Sequence, residues 1–168
     1  MAKLTDDLTA RAAAYLAGQE QDILFRWTQR VSRLLADAGR PEANLPALRD
    51  HMPEIVAELR QRLLTDASAS STAAARTGLP QAHAAARYQQ QIPAGVVVQE
   101  YQVLRREVWH KLRQWNAEPP LTVVDVFLLE ERINTALDAL IAVTLATFVQ
   151  LEAGHVPPSP SPDDPGRR

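Results

Sequence analysis

His83 and Arg87 stand four residues apart, and Glu100 with Tyr101 follows just beyond the helix-breaking Pro93 and Gly95. Side chains at i and i+4 share one helical face, so two antiparallel helices would bring an imidazole, a guanidinium, a carboxylate and a phenol to one corner. Two readings of that corner stand side by side. One is an interhelical salt bridge from Arg87 to Glu100 that fixes the packing, the commoner use of paired buried charge. The other is a polar sensing site.

Elsewhere the residues with chemical capacity are dispersed. His51, His83, His110 and His155 lie far apart, with no His-Glu-x-x-His spacing and no cysteine, so a metal site is not expected. The six glycines are scattered and outline no phosphate loop. Glu130 and Glu131 are neighbours, and neighbours on a helix point about 100° apart, too divergent to share an acid–base site. The chain is therefore not expected to be an enzyme. A single neutral histidine on a core helix can ligate haem iron, with His51 and His110 as candidates, so a haem- or tetrapyrrole-binding sensor is the alternative. The few aromatic residues outline no haem pocket, and no cofactor is expected.

The elements that must position these residues are helical. In 168 residues, 46% of them hydrophobic, apolar positions recur at helical spacing and no convincing period-two stretch occurs. A first helix runs through Leu4, Leu8, Ala12, Tyr15 and Leu16, with Gly18 as its expected stop, and a second begins near Glu20 and carries Leu24, Trp27, Val31, Leu34, Leu35 and Ala38. Gly39-Arg40-Pro41 ends it. Leu48, Met52, Ile55, Val56, Leu59 and Leu63 form the next stripe, with Pro53 marking a kink or a first turn. Residues 65–78, rich in Ala, Ser and Thr, read as a loop or a weak helix, and Pro80 opens a helix to about Gln91.

The cleanest stripe, Val97, Tyr101, Leu104, Val108, Leu112 and Trp115, predicts a central helix over 96–116. Trp27, Leu104, Val108 and Leu112 are expected in the core. Thr122 or Asp125 can cap a last helix running to about Glu152, roughly 45 Å at ~1.5 Å per residue, more than one small domain covers. Its apolar residues exceed a single stripe. Leu137, Ile141, Leu145 and Phe148 are accordingly the expected dimer interface around a two-fold axis. The fold class is all-α, with one domain over 1–153 and a disordered Pro- and Ser-rich tail or linker over 154–168.

Charge excludes some partners. Eighteen basic against 20 acidic residues give a net charge of −2, and Arg105-Arg106 and Arg167-Arg168 make no basic stripe, so nucleic acid is not expected. The run Ala139–Leu151 falls short of the roughly 18 apolar residues that span a bilayer, and the acidic start resembles no signal peptide. No membrane association is expected, and the cytoplasm is the default location.

His83-x-x-x-Arg87 followed by Val98-x-Glu100-Tyr101-x-x-Leu104-Arg105-Arg106 resembles the N-terminal domain of the RsbR/RsbRD family of stressosome proteins and some bacterial sensor histidine kinases. The likeness extends back through Leu48-Arg49-Asp50-His51-Met52-Pro53-Glu54-Ile55 and Trp27, and forward into the last helix, covering most of 8–152. One departure is visible. Relatives often carry a Gly shortly after the Arg, then a Ser or Thr cap, where this chain has Gln89-Gln90-Gln91-Ile92-Pro93-Ala94-Gly95. The resemblance implies a globin-like fold without haem, a homodimer, and a last helix directed at an output domain or signalling-protein partner. The function expected is a non-catalytic sensory or regulatory module in stress-response signal transduction.

Overall fold

The computed structural model describes residues 2–39, 51–64 and 78–154, with side chains from Asp7 onward. Within them run five helices and no strand: α1 (Ala2–Asp37), α2 (Met52–Leu64), α3 (Leu79–Gln89), α4 (Ala94–Leu112) and α5 (Val123–Gly154). The all-α class and the long C-terminal helix are as the periodicity implies.

Most of each stripe read from the sequence is buried, although Leu34 and Trp115 are half-buried and Ala38 is exposed. Along α1, Leu8, Ala12, Leu16, Ile23, Trp27, Val31 and Leu35 turn inward at helical spacing and pack along α4 and α2. Met52, Ile55, Val56, Leu59 and Leu63 do the same for α2, and Val97, Tyr101, Leu104, Val108 and Leu112 for α4. The four expected core residues Trp27, Leu104, Val108 and Leu112 are all buried. In α5 the inward stripe is Leu129, Ile133, Leu137, Leu140, Thr144 and Phe148, laid against α3, α2 and α4. By length and composition alone α5 could cross a membrane, although this stripe is buried against the other helices.

Gly18 does not stop α1. It lies exposed inside one continuous helix, with nothing within 4 Å of a Cβ added there. A helical Gly costs only about 1 kcal/mol against Ala, and burial of Leu16 on one side and Ile23 and Leu24 on the other outweighs it. The true stop is Gly39, whose φ of 75° closes the helix with an N–H donated to the Ala36 carbonyl at 3.0 Å. Pro53 and Pro80 sit in first turns, where a missing N–H costs nothing. Helix α4 ends before Trp115, which leaves the helical path to stack on Tyr15 at 5.3 Å between ring centroids.

At the head of α5, Thr122 and Asp125 form a reciprocal cap. The Asp125 N–H donates to Thr122 Oγ1 at 3.2 Å and the Thr122 N–H to Asp125 Oδ2 at 2.8 Å. The Thr122 N–H and the Thr122 hydroxyl, which donates to Asp125 Oδ2 at 2.8 Å, hold the Asp125 carboxyl below its usual range. Interhelical ion pairs fix lateral register: Arg60 to Glu20 at 2.8 Å between α2 and α1, Arg30 to Glu107 and Lys111 to Asp22 between α1 and α4, and Arg105 to Asp138 between α4 and α5. The Leu48 position, residues 65–77 and the tail from 155 onward lie outside the described residues.

Candidate functional site

Helix α3 has almost no large apolar residue to bury. Its inward face is Pro80, His83, Ala84 and Arg87, so the core it meets must be polar. Residues Gln90–Pro93 turn the chain, and α4 returns with the neighbours Glu100 and Tyr101 about two turns into the helix, facing α3. The result is a charged cluster sealed from solvent. His83, Arg87 and Glu100 are each 1% exposed and Tyr101 is 2% exposed.

The geometry satisfies the charges. Arg87 Nε lies 3.0 Å from both Glu100 carboxylate oxygens, and its Nη1 donates to Gln90 Oε1 at 3.2 Å. On the other side His83 Nε2 stands 3.2 Å from Glu100 Oε2, close enough for attraction but at an angle too poor for a hydrogen bond. The Trp27 indole N–H, entering from α1, donates to the Glu100 backbone carbonyl at 3.0 Å. Burial pulls the His83 imidazole below its ordinary value, against the Glu100 carboxylate, which pulls it up; Arg87 and His51 add to the lowering. The cluster therefore rests as a neutral imidazole beside one Arg–carboxylate pair.

Tyr101 does not bond Arg87. Its ring meets His83 edge-on at 5.6 Å, and its hydroxyl lies 2.9 Å from Thr144 Oγ1 on α5. Thr144 Oγ1 is also 2.9 Å from the Leu140 carbonyl, so every proton is placed when Tyr101 donates to Thr144 and Thr144 donates to Leu140. Burial pushes the Tyr101 hydroxyl up to about 12. The cluster thus touches α1 through the Trp27 indole and meets α5 through Tyr101, whose ring packs on His83 and whose hydroxyl bonds Thr144.

The four residues named for the corner are brought together. Thr144 and the Trp27 indole were not singled out as partners, although a lone hydroxyl in the stripe Leu137, Leu140, Thr144, Phe148 was a readable signal. The expected dimer residues need correction. Leu137 and Phe148 are 0% and 3% exposed within one chain, Phe148 meeting Tyr88 edge-on at 5.6 Å, because they belong to the core stripe of α5. Ile141 and Leu145 are half-buried, while Ala142, Ala146 and Val149 on the other side of α5 are exposed.

The two haem candidates sit at different elements. His51 is half-buried just before α2, and His110 faces the Gln114 amide at 3.2 Å on α4. The grooves beside Tyr88 and Phe148, beside Arg106 and Trp109, and beside Ala13 and Arg60 are lined by no histidine.

The domain is all-α, with a buried, paired charge cluster between α3 and α4 that the Trp27 indole of α1 also reaches. The model of the RsbT co-antagonist protein rsbRD N-terminal domain matches residues 6–155, and the chain belongs to that family. Membership carries a stressosome-type signalling role. No curated protein and no solved structure matches the chain.

Proposed function

We propose that the chain is a non-catalytic, dimeric sensory module of the cytoplasm that signals through α5 to a protein partner or output domain, with the buried cluster as its two-state element. The observation that carries this reading is the Tyr101–Thr144 hydrogen bond, the link between the charged cluster and α5. A buried network built on an Arg–carboxylate pair has few intermediate arrangements, so a ligand or partner that favours a second packing shifts a population rather than bending the fold. The dimer contact in this reading uses Ala142, Leu145, Ala146 and Val149, on the side of α5 turned away from Leu140 and Phe148.

The test is a chromosomal Thr144→Val substitution, nearly isosteric, in the source organism. Altered stress output at unchanged protein level supports the reading. Unchanged output, with Tyr101→Phe equally silent, removes the link. Sedimentation of the purified chain decides the dimer separately.

A further inference from the structure

Most of the exposed large apolar side chains of α5 fall in its first turns. Val123, Val124, Val126 and Phe127 are 71%, 64%, 42% and 64% exposed. An apolar cluster of that kind on a soluble surface marks a contact site more often than chance. Beside it α4 presents Arg106 and Trp109, and its C-cap residue Arg113 continues the same face, at i, i+3 and i+7. Between the two helices lies an open groove of about 450 Å³ lined by Arg106, Trp109, Arg113, Val126 and Glu130.

Most of the described cations are paired, although Arg11 and Arg33, like the two arginines of the groove, lack a carboxylate partner among the described residues. Arg26, Arg30, Arg60, Arg62, Arg87, Arg105 and Lys111 each pair with a carboxylate. Arg106 and Arg113 reach none among the described residues, although Glu130 lines the same groove. The groove therefore has an apolar floor, Trp109 and Val126, and an excess of unpaired positive charge on one wall.

We infer that this groove between the end of α4 and the start of α5 docks an acidic amphipathic helix of a partner protein, its carboxylates on Arg106 and Arg113 and its apolar residues on Trp109, Val126 and Phe127. Seven residues of helix separate the arginines by about 10.5 Å, which matches carboxylates at i and i+7 on a helix lying along the groove. The apolar residues at i+3 and i+4 of such a helix then point between them, in the helix-in-groove mode. This site is distinct from the proposed dimer contact. Phe127 and Val149 are separated by about 33 Å along α5.

Calorimetric titration with two synthetic helical peptides tests it. One carries Glu at i and i+7 with Leu at i+3 and i+4; its twin carries Lys at the two charged positions. The expected result is saturable binding of the Glu peptide that weakens with salt and falls by about tenfold or more in Arg106→Glu/Arg113→Glu, while the Lys twin prefers that variant. Circular dichroism of the variant verifies its fold, since both positions are exposed, and Arg106→Gln/Arg113→Gln serves as the milder second variant. No binding of the Glu peptide, or binding indifferent to all four substitutions, overturns the inference. So does sedimentation showing that the unaltered chain self-associates through the groove and that Arg106→Glu/Arg113→Glu abolishes it, because the occupant is then a second copy.

Discussion

Glu100→Gln removes the carboxylate that pairs with the buried Arg87. Breaking a buried pair on one side costs about 3–5 kcal/mol, and urea unfolding of the variant should show a loss of that size. Tyr101→Phe removes one neutral hydrogen bond to Thr144 and should cost only about 0.5–1.5 kcal/mol in the same measurement. The cluster also sets a pH dependence. The His83 pKa is lower in the folded chain than the ordinary 6.5, so below that value the unfolded chain binds the extra proton. The His83 contribution to stability is full above about 6.5 and is lost as pH falls through the lower folded value. Glu100 and Tyr101 from α4, Arg87 from its own helix and His51 from before α2 are the titratable or charged groups facing it. Denaturation midpoints taken across that window should fall with acid in the native chain and fall less in His83→Gln. The turn before α4 offers a prediction of the opposite sign. Gln91 has φ 56°, the left-handed region that glycine enters freely. Gln91→Gly should raise stability by up to about 1 kcal/mol by thermal unfolding.

The helices were legible in the sequence to the extent that burial is one-sided. Stripes such as Val97, Tyr101, Leu104 and Val108 leave no other solution, and α2, α4 and α5 follow from them. The single break in α1 was misplaced because a glycine reads the same inside a helix as at its end, and only packing on both sides distinguishes the two. Gly18→Ala should therefore stabilise the chain by roughly 0.5–1 kcal/mol, where a helix end at that position would make it destabilising. The meeting of His83, Arg87 and Glu100 was readable from their spacing about a turn. The Thr144 partner was not, because which residue of α5 faces Tyr101, 43 residues away in sequence, depends on the register between the two helices. The excess apolar surface of α5 was visible as an amount, but its division into a core face and an outer face was not. Leu137 and Phe148 went to the core because their spacing from Leu140 and Thr144 keeps them on one stripe.

For the whole molecule, that division changes the choice of interface variants. Phe148→Glu places a carboxylate in the chain's own core and reports on folding, whereas Val149→Glu alters a side chain that is 63% exposed. Val149→Glu, with Leu145→Glu as a second variant, should convert a sedimenting dimer into a folded monomer at micromolar concentration. An unaltered chain that sediments as a monomer ends the dimer proposal.

The Trp27 indole, fully buried with its N–H committed to the Glu100 carbonyl, makes the chain its own optical probe. Of the three tryptophans, Trp109 and Trp115 keep partial contact with solvent. A chain in which both are replaced by phenylalanine would emit from the cluster alone. Its emission maximum and its quenching by acrylamide would then follow entry of water to that one spot, without an attached dye. A signal that rearranges the charges would appear as a change of colour in the protein itself.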